Sequence, residues 1–433
     1  MSTIKHNDRM LRICLVSLAV LFIFTSCKKN YERNSQVLTG PNPRIRISSG
    51  SSDAAEPAIA TASDGAVYLA WVNHGPENQA DVMLARYTSD GRLQNSAVLV
   101  NTEPGAATAW RGDPPTVTVA PDNAVLVGWT ARDKSESGHA STLYVSASRD
   151  QGKTFDRPIK VNDDSKPAVH GMHSLAVGQD GRIYVAWLDE RNITPMPMND
   201  MKMDPSKGGH HMESNRELFL AYSTDDGRTF SANQRIATDV CPCCKTALAI
   251  GPDGHVYVSW RQVLPGDFRH IAVAGSTDGG KTFSTPVIVS DDQWVLKGCP
   301  VSGAGLSVDG AGKLHVLWYA GAENTQPGIY WSESQDGGRS FSPRKLLAPG
   351  FARSTPVLVS DGPNNPFAIW ESSGTNGSEV RAASFGALTE PNQLLITQNG
   401  ELPAAIVQNK HVFVTYVAKE GEKRNVWLLS ASL

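Results

Sequence analysis

SRDQGKTF (148–155), STDDGRTF (223–230), STDGGKTF (276–283) and SQDGGRSF (334–341) share the pattern Ser-x-Asp-x-Gly-x-Thr/Ser-Phe. The Asp carboxylate accepts bonds from backbone N–H groups of its own turn, the Gly takes a positive φ, and the Phe returns the chain to the apolar side. Each copy is therefore a tight turn between two strands.

Working outward, each turn follows a strand-like run that ends in Trp. The runs are AVYLAW, AVLVGW, RIYVAW, HVYVSW, KLHVLW and PFAIW, ending at Trp71, Trp129, Trp187, Trp260, Trp318 and Trp370, and a seventh, HVFVTY, ends at Tyr416. The Trp spacings are 58, 58, 73, 58 and 52 residues. Each run is preceded by a shorter strand and an Asp-Gly or similar turn, which makes a hairpin. A repeat of four short strands is a propeller blade. The sequence predicts an all-β protein of four-stranded blades, seven in number with six as the alternative, at roughly 57–100, 114–162, 172–238, 246–290, 303–348, 355–397 and 402–431. The last unit has only three strands. Arg44-Ile45-Arg46-Ile47-Ser48 resembles the fourth strands of other units, so the N-terminal strand is expected to complete it and remove the exposed edges.

With these four turns the chain resembles the Asp-box, or BNR-repeat, proteins, whose best-known members are the sialidases; the resemblance covers residues 44–433. It implies that the boxes, centred on Asp150, Asp225, Asp278 and Asp336, are structural and lie on the face opposite the active site. Sialidases usually have six blades, and they hold a substrate carboxylate with three arginines. The first of these stands in an Arg-Ile-Pro motif, where this chain reads Ala55-Glu56-Pro57. The catalytic set of the family is not matched here. Under a glycosidase reading, Arg111, Asp113, Asp189, Glu190, Arg191, Arg261, Tyr319, Glu323 and Arg353 are the top-face groups available to build a pocket, Arg111, Asp113, Asp189, Arg191, Tyr319 and Arg353 being the candidates for catalysis, and Trp110 could line a sugar cleft. The bland reading of these charges is a solvated loop surface.

The top face should be built by residues that follow each Trp and by residues that lead into each first strand. Those leads carry soft ligands. His170, Met172 and His173 enter the third unit, Cys241, Cys243 and Cys244 the fourth, and Cys299 the fifth. The third unit is also longer, with 43 positions between Trp187 and Phe230. Its extra loop contains Met196, Met198, Met201, Met203 and Met212 with His210 and His211, in a Pro- and Gly-rich context that has no core to fill. Thiol, imidazole and thioether suit copper, Cu(I) especially, and zinc less well, because Cys-x-Cys-Cys is not the paired Cys-x-x-Cys of structural zinc sites. A metal site of His170, Met172, His173, Cys241, Cys243, Cys244 and Cys299, with Met196, Met198, His210 and His211 as a loading arm, is one expectation. Disulfide stapling of the four cysteines, with the histidines merely hydrogen-bonded and the Met loop a contact surface, is the other.

Residues 1–26 have the layout of a signal peptide: Lys5, Arg9 and Arg12, then an apolar run to Phe24, then Thr25-Ser26-Cys27. The run is too short to span a bilayer comfortably. Small residues before Cys27 resemble the bacterial lipoprotein cleavage box, so Cys27 is expected to be lipidated and residues 27–43 to be a tether. The protein is then exported and held by lipid at an outer membrane or cell surface, in an oxidising compartment, with a metal ion, a glycan or a protein as partner of the top face. Lys plus Arg number 40 against 43 for Asp plus Glu, so no basic surplus favours nucleic acid.

Overall fold

The computed structural model describes residues 44–133, 140–193, 215–296, 300–360, 366–375, 377–385 and 393–432. Among them the chain forms 28 strands and one 3-10 turn at Pro76–Asn78. The strands pair into five sheets of four and one of eight. The larger sheet is two consecutive four-strand units joined by the single pair Val240–Gln262. Every unit is antiparallel and, except for the one that contains Ile45–Arg46, runs in chain order from its first strand outward.

The first strands are Asp53–Thr61, Thr116–Val119, His170–Val177, Ala247–Ile250, Ala304–Val308, Val357–Ser360 and Glu401–Gln408. Each packs beside the next, and Glu401–Gln408 packs against Asp53–Thr61. The contact is close where side chains are absent. A Cβ on Gly303 would stand 2.1 Å from the Lys245 carbonyl, and one on Gly305 2.7 Å from that of Pro356, so glycine lets backbone approach backbone there. In the last unit the fourth strand is Ile45–Arg46, which pairs with Lys423–Ser432 through Ile45–Leu428 and Arg46–Trp427.

The second strands read as unbroken apolar runs because both of their faces are covered, as in Val67–His74 and Ile183–Asp189. Trp71, Trp187, Trp260 and Trp318 are among the largest fully buried side chains. A buried indole N–H needs an acceptor. The residue two positions on supplies it in three units: Trp71 donates to Asn73 at 2.9 Å, Trp187 to Asp189 at 2.8 Å and Trp260 to Gln262 at 2.7 Å. In the fifth unit Trp318 donates to Asp292 instead, at 2.7 Å.

The four Ser-x-Asp-x-Gly turns each join the third and fourth strands of a unit, and their bonding is the same in all four. At 148–155, Asp150 accepts from Ser148 Oγ (2.8 Å), Thr154 N (2.9 Å) and Thr154 Oγ (2.7 Å), while Gly152 N–H donates to Ser148 Oγ (2.8 Å). Asp225, Asp278 and Asp336 repeat the set with Thr229, Thr282 and Ser340. The glycines at the turn, Gly152, Gly227, Gly280 and Gly338, lie at φ 80 to 83°. Hydrogen bonds to Thr154 hold the Asp150 carboxyl down to about 2, and Thr229 does the same for Asp225 against the opposing effect of burial. We call this side of the units the box end, and the opposite side, where the chain passes from unit to unit, the linker end.

Candidate functional site

The cysteines lie at the linker end between the third and fourth units. Strand Gln234–Val240 runs directly into Cys241-Pro242-Cys243-Cys244, and the turn is closed by Cys241 N–H donating to the Arg261 carbonyl (2.9 Å) and Cys244 N–H to the Cys241 carbonyl (3.4 Å). All three cysteines are buried, in one apolar cluster with Met172, Val240, Val258 and Trp260. Their sulfurs lie within 4.8 Å of one another. Cys244 Sγ is 3.2 Å from Cys241 Sγ, and Cys243 Sγ is 4.0 Å from it. No disulfide joins the three to one another: Cys241 and Cys244 are free thiols, and Cys243 is disulfide-bonded.

Positive charge surrounds this cluster. Arg261, fully buried in strand Val256–Leu264, donates from Nε to the Ser302 carbonyl and from Nη2 to the Tyr319 carbonyl, both at 3.0 Å, and lies over the Trp294 ring at 4.9 Å. Among the described residues no carboxylate lies within ion-pair distance of it. The Cys244 thiol donating to Cys241, aided by Arg261 and Arg269, pulls the Cys241 thiol down to about 7 against burial. Burial pushes Cys244 up.

Neither expected histidine joins the sulfurs; the group of ligand atoms within 4.8 Å holds the three cysteines alone among the described residues. A β-bulge between Gly171 and Ser174, with Met172 at φ 54°, separates the side chains of His170, Met172 and His173. Met172 packs with the cysteines, and its carbonyl accepts from Thr246 Oγ at 2.9 Å. His173 is fully buried; its Nδ1 is 2.8 Å from Asp113 Oδ1, which also accepts its N–H at 3.0 Å. Its Nε2 is buried without a hydrogen-bond partner among the described residues. Lys245 donates to the Pro114 carbonyl (3.1 Å), and burial pulls its ammonium down to about 8. Burial works against the Asp113 carboxylate, yet His173 and Lys245 keep it below its ordinary range.

His170 belongs to a separate network. Its Nε2 lies 3.2 Å from Asp164 and 3.4 Å from Asp189. Asp189 caps the Trp187 indole and accepts from Arg191 Nε at 3.0 Å, and Arg191 reaches Asp163 at 2.6 Å and covers the Phe219 ring at 4.4 Å. Asp189 and Arg191 thus belong to a network of ion pairs that runs from the buried Asp189 to the exposed Asp163.

The remaining residues expected under a glycosidase reading meet elsewhere at the linker end. Arg111 donates to the Arg353 carbonyl (3.2 Å) and to Glu371 (3.1 Å), a fully buried carboxylate that also accepts from Ser378 Oγ and Leu402 N–H. Among the described residues Arg353 bonds only Ser373 Oγ with its side chain, at 3.1 Å. Beside them Trp110 and Phe351 are 38% and 57% exposed. The indole of Trp110 lies across Gly112, where a Cβ would stand 2.3 Å from it. Tyr319 sits beneath, buried, with its ring edge-on to Trp294 and Phe351, both at 5.4 Å. The expected set is therefore divided among three places. Glu371, Lys245 and Arg269 were not singled out from the sequence. Glu371 was legible only as a charge at the end of an apolar run, directly after Trp370. Cys27, Met196, Met198, His210, His211 and Cys299 lie outside the described residues.

Compared with family models and with curated proteins, the chain matches none. Among solved structures it is similar to a polysaccharide lyase of family PL25, an ulvan lyase, at 11% identity over 88% of this chain and 94% of that one, with a TM-score of 0.56. It is similar also to a Dyadobacter fermentans protein of unknown function, at 14% identity over 90% and 98%, with a TM-score of 0.51. A Hadza microbial sialidase, Hz136, aligns at 13% identity over 93% and 98%, with a TM-score of 0.49. The first two likenesses show the fold alone.

Proposed function

We propose that this protein is an exported, Cys27-lipidated binding protein of the Asp-box type, a closed seven-bladed propeller whose linker end holds a soft cation, Cu(I) before Zn(II), on Cys241, Cys243 and Cys244. The observation that carries the reading is the set of three buried sulfurs within 4.8 Å of one another. Thiolates in an apolar shell select soft cations. Three thiolates around a monovalent cation leave excess negative charge, and the buried guanidinium of Arg261, which has no carboxylate partner among the described residues, is placed to offset it. Cys243 contributes as a thiolate in the reduced chain. The order of first strands, with the last packed against the first, supports closure. The methionine- and histidine-rich loop retains its role as a loading arm in this reading, on its composition alone.

The test is Cu(I) titration of the anaerobically reduced chain, residues 28–433, against a chromogenic competitor. About one Cu(I) per chain is expected, lost in the Cys241→Ser/Cys244→Ser double variant. No Cu(I) retained, or the same amount retained by the double variant, would sink the reading.

A second reading rests on a different observation: Trp110 and Phe351 are exposed beside Arg111 and Arg353. Aromatic faces stack on sugar rings and arginines take carboxylate or sulfate forks. That surface suits an acidic saccharide, and the ulvan lyase is known in a complex with a glucuronate- and rhamnose-sulfate-containing ligand. Binding of uronate oligosaccharides that is unaffected by Trp110→Ala and Arg353→Ala would remove this reading.

A further inference from the structure

The three cysteines are in two chemical states at contact distance. Cys241 and Cys244 are free thiols with their sulfurs 3.2 Å apart, and the Cys241 sulfur is 4.0 Å from Cys243 Sγ, which is one half of a disulfide. All three are buried. The reactants of a thiol–disulfide exchange are therefore already together within one turn.

We propose that Cys241, Cys243 and Cys244 form an internal thiol–disulfide exchange centre. Cys241 attacks Cys243 Sγ, forming a Cys241–Cys243 bond and expelling the former partner of Cys243 as a thiolate. Cys244 then attacks Cys241 Sγ, forming a Cys241–Cys244 bond and releasing Cys243. The two protons lost by Cys241 and Cys244 end on the two released sulfurs. One disulfide and two thiols stand on each side, so the step is an isomerisation that needs no oxidant or reductant.

The turn supports this order of events. Cys241 and Cys244 stand at Cys-x-x-Cys spacing, the arrangement in which one thiol attacks and the other resolves. The Cys244 N–H bond to the Cys241 carbonyl keeps the pair facing each other.

As a gate on cation binding the inference rests on the soft-cation reading, because neither isomer has three thiols. Only a chain that has gained two electrons, from a dithiol reductant, presents the full set. As sulfur chemistry it is independent of metal.

The experiment is native alkylation. The non-reduced full chain is held at pH 8 with excess iodoacetamide, sampled over hours, quenched in acid, and mapped by mass spectrometry without reduction. In the wild type, molecules with alkylated Cys243 and a Cys241–Cys244 disulfide should accumulate. Cys241→Ser should retain the original Cys243 disulfide, with alkylation of Cys243 at least tenfold slower. Cys244→Ser should stop after the first step, at a Cys241–Cys243 disulfide, and so tests the order even if the other variant folds poorly. Retention of the Cys243 disulfide in the wild type, whether or not Cys241 and Cys244 become alkylated, overturns the proposal, as does equal alkylation of Cys243 in Cys241→Ser. Cu(I) titration of the fully reduced wild type separates the two ideas: binding without exchange removes only the exchange centre, and exchange without binding removes only the cation site.

Discussion

The box end and the linker end of the same units are held by different kinds of bond. At the box end the Ser and Asp bonds that close a turn fall within eight residues, and four turns repeat them to within about a tenth of an ångström: Asp to Thr/Ser Oγ at 2.7, 2.6, 2.6 and 2.6 Å. At the linker end the partners are remote, with 60 residues between Asp113 and His173 and 260 between Arg111 and Glu371. Repetition at one end makes the unit robust, and freedom at the other lets single units carry buried charge, thiols and exposed aromatics on a common frame.

The largest effect that would sharpen this contrast is expected at Arg261. Replacement by Met leaves the Ser302 and Tyr319 carbonyls buried without a donor and should cost about 3 kcal/mol, read as a lower urea midpoint at unchanged slope. A loss below about 1 kcal/mol would mean that water or the neighbouring guanidinium takes over. Next comes Asp225→Ala at the box end, expected to cost about 1.5 kcal/mol because its bonds are partly exposed to solvent. If the boxes are equivalent, Asp150→Ala should agree within about 0.5 kcal/mol; a large discrepancy would break the comparison.

The acid limb of stability tests the same bonds. Asp150 and Asp225 have carboxyls held at about 2 in the folded chain, below the ordinary value of about 3.9. Their contribution is complete above that ordinary value and is lost as pH falls through about 2, because the unfolded chain binds the protons first. Urea midpoints measured from pH 5 to pH 2 should therefore fall, and less steeply in Asp150→Asn than in the wild type; parallel slopes would show that the box carboxylates are not the groups concerned. The smallest effect is expected at Trp110→Ala, within about 0.5 kcal/mol of the wild type, since the indole lies exposed over Gly112. Its interest is functional: unchanged stability with at least tenfold weaker uronate binding would give the linker end a saccharide surface.

How far the fold could be read followed the range of the forces. The Trp runs were visible because a strand covered on both faces shows an uninterrupted apolar sequence, and the N-terminal strand was visible because Ile45 and Arg46 imitate a fourth strand. The role of Asp189 was not visible. It looked like a charge beginning a loop, yet it caps the indole of Trp187, and the same offset at Asn73 and Gln262 shows that the position following the buried Trp by two is an acceptor site in three units. His170 and His173 looked alike in sequence. The bulge at Gly171–Ser174 sends one to Asp164 and Asp189 and the other to Asp113, and no local pattern announces where such a bulge falls.

By itself the sequence determined the repeating unit: its turns, its strand order and its buried Trp, all products of hydrogen bonds and apolar periods acting over a few residues. It also brought Cys241, Cys243 and Cys244 together, since they share one turn. That Arg261 has no carboxylate partner among the described residues, that His173 belongs to Asp113, and that Arg111 spans to Glu371 emerges only from the assembled units. Those meetings depend on how whole units pack side by side, and packing sums many weak contacts between segments far apart in the chain.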